Sequence, residues 1–331
     1  MKICVVGAGA IGGFLGTRLA LDPGNAVAAL ARGTTLVALR DHGWRLHQDG
    51  KLLAAPAAAA ADDPRELGTC DLVILALKAH SLPALAPTLA PLFSSDTLVL
   101  PAMNGVPWWF GAGTPALAAR PLESVDPGGA IAAALPASRV VGCVVHASAS
   151  VSEPGVTSHR MGRGLIIGEP GGGDSARVTR LGELFARAGF EVTCSPRIRY
   201  DVWYKLWGNM TMNPVSALTG ATTDRVLDDE LVRGFCAAAM REAAAVGARI
   251  GCEVGESADD RQAVTRKLGV FKTSMLQDVE ASRMLELDAL VGAVHEIGGR
   301  VGVATPMIDA LFGLTRLFGR VHGLYPQHHK P

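Results

Sequence analysis

Two widely separated sets of residues have the types and spacing to do chemistry. The first is Gly7-Ala8-Gly9-Ala10-Ile11-Gly12, a G-x-G-x-x-G run. It directly follows the apolar residues Ile3 to Val6 and leads into a small-residue stretch of helical character. Strand, tight turn and helix in that order make the fingerprint of a dinucleotide site. Gly7 makes the turn, Gly9 lets the backbone approach a pyrophosphate, and Gly12 lets helix and strand pack closely. The free N–H groups and positive end of the helix then face the phosphates. A glycine-rich turn without a ligand is the plainer alternative. The second set is Lys205, Asn209 and Asn213, spaced four apart and therefore on one helical face. Burying a lysine and two amides requires partners. Their helix otherwise carries Trp203, Trp207, Met210 and Met212, so a polar file there implies a cleft. A solvated stripe is the alternative.

Further residues extend each set. A free adenosine 2′-hydroxyl usually meets an acidic residue at the end of the second strand. No Asp or Glu stands between Asp22 and Asp41, and Arg32 occupies that place. An arginine fork suits a 2′-phosphate that a carboxylate would repel. This favours NADPH over NADH, against the alternative of a solvated surface charge. Lys78 leaves a buried strand at the sheet's carboxyl end, where ligands bind in open α/β sheets. It can reach the 2′-phosphate or adenosine side, and an ordinary surface lysine fits as well. Asn104 follows another strand, Thr97 to Ala102, and is placed to hold nicotinamide ribose or substrate, although Asn104-Gly105 also makes a turn. Trp108-Trp109-Phe110 then reads as core packing or as the wall of an apolar pocket. Later, Ser274 and Asp278 share a face. Glu286 opens a helix, where a carboxylate suits the dipole without any further role.

The elements that must position these groups change character along the chain. Apolar runs at Asn25–Ala31, Asp71–Ala76 and Thr97–Ala102 read as strands, and Trp44–Pro56 reads as a hairpin turning at Asp49-Gly50. Arg139–Val145, Val156–Ile167 and Phe190–Cys194 add strand character, with a helix over Ser175–Ala188. From Ile198 onward helical periods dominate, over 198–219, 228–250, 258–281, 284–300 and 305–322. This predicts an α/β N-terminal Rossmann-type domain with a parallel sheet, followed by an all-α C-terminal domain. The expected division is 1–196 for the NADP-binding domain and 197–331 for the helical one.

Bulk properties narrow the class. Thirty-one Lys and Arg balance 31 Asp and Glu, with no basic block, so nucleic acid is not an expected partner. No uncharged apolar run reaches membrane-spanning length. Met1-Lys2 leads straight into the fingerprint strand, leaving no room for a signal peptide, and a cytoplasmic location is expected. The six cysteines form no C-x-x-C pair and read as buried free thiols. The histidines show no metal-ligand spacing, so no metal is expected. His328 and His329 fall in a polar tail read as frayed. The helical half carries enough apolar surface for a homodimer, though burial in its own core explains the same residues.

Taken in order, these features resemble the ketopantoate reductase family (2-dehydropantoate 2-reductases) nearly end to end. The marks are the glycine fingerprint, Leu77-Lys78-Ala79, Asn104-Gly105, Lys205-Leu206 with Asn209 and Asn213-Pro214, Ser274-Met275-Leu276-Gln277-Asp278, and Glu286-Leu287-Asp288. The resemblance implies hydride transfer from NADPH to the C2 ketone of a small 2-oxo acid, 2-dehydropantoate, giving pantoate for pantothenate biosynthesis. It implies Lys205 as general acid and Glu286 as the second catalytic group, holding the substrate hydroxyl and the nicotinamide ribose. Asn104, Asn209, Asn213 and Ser274 match substrate-binding positions. Gly7 to Gly12, Arg32, Lys78, Asn104, Ser148 and Glu286 match cofactor-binding ones. Two departures bear on substrate identity. The segment after Asn104-Gly105, with Trp108-Trp109-Phe110 and Leu122 to Gly129, is longer than in compact members. A further asparagine is replaced by Thr222 or Thr223. A bulkier 2-oxo acid is one alternative, and a non-catalytic NADPH sensor another. A 3-hydroxyacid dehydrogenase is disfavoured by the Ser274–Asp278 and Glu286 segments. A short-chain dehydrogenase is disfavoured because Asp201 stands where its motif needs tyrosine.

Overall fold

In the computed structural model, which describes residues 1–327, the chain forms strands β1 (Lys2–Val6), β2 (Ala26–Leu30), β3 (Trp44–Gln48), β4 (Lys51–Ala55), β5 (Ala60–Ala61), β6 (Cys70–Leu75), β7 (Phe93–Pro101), β8 (Gly142–Glu153), β9 (Val156–Gly168) and β10 (Glu191–Cys194). His328 and His329 lie outside the described residues. Chain contacts divide the molecule into two compact units. Unit one is Met1–Met103 with Gly129–Asp201, and unit two is Asn104–Gly128 with Val202 onward.

Unit one holds both sheets. The first runs β5-β2-β1-β6-β7, parallel throughout. Ile3 to Val6 and Leu72 to Leu75 are at most 1% exposed, which explains why these strands read as unbroken apolar runs rather than alternating ones. The order reverses between β1 and β6, so their carboxyl ends flank the switch point where open sheets bind ligands. The second sheet runs β10-β9-β3-β4, with β8 on β9. The expected hairpin is its β3–β4 edge, turning where Asp49 and Gly50 both take positive φ (51° and 73°). That the later strands assemble with this hairpin into a second sheet is not visible in their sequence, since register is a long-range property.

Helix α1 (Ala10–Ala20) is shared by both sheets. Its small residues make this sharing feasible. A Cβ on Gly13 would stand 2.0 Å from Thr157 Oγ1, and one on Gly16 would stand 2.5 Å from the Trp44 ring. Phe14, Leu15 and Leu19 fill the space between the layers. Two further helices, α2 (Gly33–His42) and α3 (Ala176–Arg187), complete the layers of this unit.

Unit two is built on the helices α4 (Ile198–Thr219), α5 (Thr223–Asp228), α6 (Glu230–Arg249), α7 (Ala258–Arg266), α8 (Ser274–Glu280), α9 (Ala293–Val301) and α10 (Pro306–Val321). The single helix expected over 258–281 is broken. Gly269 takes φ +62°, and Thr273 caps a new helix by accepting the Leu276 N–H. The helix expected from 284 begins with a π-helical turn at Asp288–Gly292.

The segment Asn104–Gly128 packs within this helical unit, not with the strands it separates. Two residues of α9 anchor it. The Glu296 carboxylate accepts the N–H groups of Glu123 (3.0 Å) and Ser124 (2.8 Å) and the Ser124 hydroxyl (2.6 Å). Burial pushes this carboxyl up, but those bonds and the Arg300 guanidinium together hold it below its usual range. Arg300 donates to the Arg120 and Pro121 carbonyls as well. Composition cannot show this, because the anchors lie about 170 residues further on.

Candidate active site

In unit one the fingerprint glycines divide into two physical kinds. Gly7 has φ +92°, and a Cβ there would stand 2.7 Å from the Ala76 carbonyl oxygen. A Cβ on Gly12 would stand 1.9 Å from the Gly7 carbonyl oxygen. Both positions are glycine because the protein itself fills the space. Gly9 has nothing within 4 Å of its missing Cβ. Protein packing therefore does not demand glycine there, whereas a group lying over the turn would. Gly9 also caps α1 without any side-chain hydrogen bond, and the first turn carries no acidic residue. The helix end thus presents bare N–H donors, as an anion requires.

Of the other residues predicted for a cofactor, Arg32, Lys78 and Ser148 lie in this unit, whereas Asn104 and Glu286 belong to unit two. Arg32 is exposed at the carboxyl end of β2 and precedes α2, whose first turn is Gly33-Thr34-Thr35 and contains no acid. Lys78 is half-buried just after β6 and begins a short helical turn, its carbonyl accepting the Ser81 N–H at 2.9 Å. Ser148 is in β8 opposite Met161, at a register irregularity between His146 and Ala149. It therefore belongs to the second sheet and not to the parallel one.

In unit two, two side-chain hydrogen bonds join α4 to two distant segments, the Asn104 loop and the start of α8. Lys205 is half-buried on α4, and its Nζ donates to Asn104 Oδ1 at 2.8 Å. One turn on is the half-buried Asn209. After another turn Asn213, only 5% exposed, donates from Nδ2 to Ser274 Oγ over a long 3.4 Å. The opposite faces of α4 are packed, with Trp203, Trp207 and Met210 at most 1% exposed. The lysine file therefore does not lie on an open solvated stripe. Glu286 is 8% exposed, two residues before the π-turn. π-Helical turns recur at functional sites because their extra residue re-aims neighbouring groups.

The loop that carries Asn104 is fitted to that turn. Gly105 has φ +86°, and a Cβ there would stand 2.6 Å from the Ala289 carbonyl oxygen. The same oxygen accepts the Val106 N–H at 2.8 Å. Asn104, which engages the lysine, is therefore tied to the segment that carries Glu286.

The family described as Ketopantoate reductase PanE/ApbA matches residues 3–172, and Ketopantoate reductase PanE/ApbA C terminal matches residues 197–318. A 2-dehydropantoate 2-reductase of Mesorhizobium japonicum is 43% identical over 327 residues, spanning 98% of this chain and 100% of that one. The chain belongs to the ketopantoate reductase family. A crystal structure from Ralstonia solanacearum MolK2 superposes with TM-score 0.94 at 54% identity, covering 98% of this chain and 99% of the other. The crystal structure of 2-dehydropantoate 2-reductase from Methylococcus capsulatus gives TM-score 0.83 at 27% identity, covering 97% and 98%.

In this member of an oxidoreductase family, Trp108, Trp109 and Phe110 do not form an open wall. They are 8%, 2% and 0% exposed, and Phe110 stacks on Trp203 with centroids 5.9 Å apart. Of the two threonines noted in the sequence, Thr223 is 2% exposed and its hydroxyl is spent on the Gly269 carbonyl. Sequence reasoning missed the tie between Gly105 and Ala289. It also missed the partner of Asp288, whose carboxylate at the start of the π-turn accepts the Tyr325 hydroxyl. An Asn-Gly pair signals a turn but not what the turn rests on. Among the described residues no helix is long and apolar enough to cross a membrane, and no His, Cys, Asp and Glu cluster could hold a metal ion.

Proposed function

We propose that this chain reduces the C2 ketone of 2-dehydropantoate to pantoate with NADPH, and that Lys205 is the general acid. The observation that carries the reading is the Lys205–Asn104 hydrogen bond, on a face continued by Asn209 and Asn213, beside a packed hydrophobic interior. The amide oxygen of Asn104 accepts one Nζ–H and so aims the ammonium.

The residues of unit one fit the dinucleotide. The open space at Gly9 and the uncapped start of α1 suit a pyrophosphate. Arg32 supplies a bidentate donor for a 2′-phosphate, and Lys78 a second cation. Ser148 and Ala8, Ala10 and Ile11 line the same dinucleotide. NADPH, when bound, supplies the hydride. Unit one thus acts as the cofactor domain and unit two, which includes Asn104–Gly128, as the substrate domain.

The side chains of unit two would act on the 2-oxo acid as follows. Lys205 attracts the substrate carboxylate electrostatically. As charge grows on the ketone oxygen, its Nζ–H stabilises the alkoxide and then passes it a proton. Asn104 fixes the rotamer of Lys205. Asn209, Asn213 and Ser274 donate and accept around the substrate's polar atoms. Glu286 accepts the substrate hydroxyl and a ribose hydroxyl. The burial of Trp108 and Trp109 removes the main reason for preferring a bulkier substrate.

The test is NADPH oxidation across a panel of 2-oxo acids that includes 2-dehydropantoate. We expect the highest kcat/KM with 2-dehydropantoate. Faster turnover of another 2-oxo acid would replace the substrate but keep the mechanism, and no turnover with any would favour an NADPH-sensing protein.

A further inference from the structure

Glu286 lies outside any helix or strand, between the end of α8 at Glu280 and the π-turn at Asp288. The aim of a carboxylate in such a segment depends on how its backbone is held. Two bonds to that backbone and its flank come from one place. The Leu285 N–H donates to the Leu324 carbonyl at 2.9 Å. The Tyr325 hydroxyl donates to Asp288 Oδ1 at 2.5 Å. They bracket Glu286, one on each side.

The strap that supplies these bonds has a defined shape. After α10 the chain turns through Gly323, at φ +69°, and the Leu324 N–H returns to the Gly319 carbonyl at 2.6 Å. A Cβ on Gly319 would stand 2.7 Å from the Tyr325 Cβ, so glycine there seats the tyrosine. The Arg320 guanidinium lies 5.6 Å from the ring centroid. Burial, reinforced by the Asp288 bond, holds the phenol above its ordinary range.

We infer that Tyr325 is a positioning residue for Glu286: through Asp288, its hydroxyl fixes the segment that aims the Glu286 carboxylate at the substrate. On the far side of that segment Ala289 grips the Asn104–Gly105 loop. The strap is therefore linked by a short series of contacts to Lys205 as well. The inference rests on the reading of Glu286 as a substrate ligand.

The experiment compares full-length Tyr325→Phe, Asp288→Asn and Glu286→Gln, and the double variant of Tyr325 and Glu286. Steady-state kinetics with 2-dehydropantoate, NADPH binding by fluorescence and Tm are measured for each. Tyr325→Phe keeps the ring and deletes the bond. We expect KM for the 2-oxo acid to rise about tenfold, the worth of one lost hydrogen bond to a charged group, with NADPH Kd within about twofold. Asp288→Asn keeps an acceptor oxygen and should lose less. The double variant should be little worse than Glu286→Gln alone, as expected of residues acting in series. An unchanged KM in Tyr325→Phe, with KM raised in Glu286→Gln, overturns the positioning role alone. A uniform loss of KM, kcat, NADPH binding and Tm also overturns it, since that marks a merely structural bond. An unchanged KM in Glu286→Gln overturns the substrate-ligand reading and the positioning role with it. Should Tyr325→Phe not fold, Asp288→Ala removes the same bond from the other end and is read in the same way.

Discussion

The glycine turn of unit one and the lysine face of unit two are specified in opposite ways. The turn is made by what its residues lack. Gly7 and Gly12 are glycine because backbone already occupies the place of a side chain, while Gly9 leaves an unfilled surface. The lysine face is made by what its residues carry, and Asn104, Lys205, Asn213 and Ser274 come from segments up to about 170 positions apart. A site made by absence can be written in one short run of sequence. A site made by side chains needs the whole unit folded before any of its distances exist.

Lys205→Ala is the severest break. Under the proposed mechanism it removes the proton donor and the charge facing the alkoxide, and kcat should fall by about three orders of magnitude. NADPH affinity should remain, because the turn is built without the lysine. Stopped-flow turnover and fluorescence titration check both halves, and near-normal turnover would end the general-acid assignment.

The two kinds of glycine give a sharper contrast. Gly12→Ala drives a methyl into the Gly7 carbonyl, and we expect about 2–3 kcal/mol of lost stability in urea unfolding, as for an overpacked interior. Gly9→Ala meets no protein atom, so its stability should stay within about 0.5 kcal/mol of the parent. Its NADPH Kd should nevertheless rise at least about tenfold. Equal effects of the two changes on stability would erase the distinction.

Arg32→Ala should have the most selective effect. Losing a bidentate charge-assisted contact costs about 2 kcal/mol, or roughly thirtyfold in NADPH Kd. NADH, which lacks the 2′-phosphate, should change by less than about twofold. Titrations with both nucleotides decide this, and parallel losses would remove Arg32 from phosphate recognition.

The same contrast explains what could be read in advance. The strands β1, β2 and β6 and the fingerprint were legible because fully buried parallel strands and glycine turns leave local signatures. The helix α4 was legible to its ends, and its polar file stood out against tryptophans. The second sheet was not, since β3 and β9 come together through a register set over more than a hundred residues. Nor was the interior placement of Trp109 and Phe110, because an aromatic triplet reads alike whether it lines a pocket or fills a core. The roles of Lys205 and Glu286 came from family resemblance. Spacing showed only that a lysine and two asparagines share a face.

The allocation of Asn104–Gly128 to the helical unit means that the chain leaves unit one and returns to it before leaving for good. No single cut separates the molecule into two self-sufficient pieces. A fragment ending at 196 retains Trp108, Trp109 and Phe110 but loses Trp203, Glu296 and Arg300, the residues that cover and tether them. It would bring a sticky aromatic flap into solution. A gene encoding this enzyme can thus lend unit one to another protein only with the excursion excised and the ends at Met103 and Gly129 rejoined.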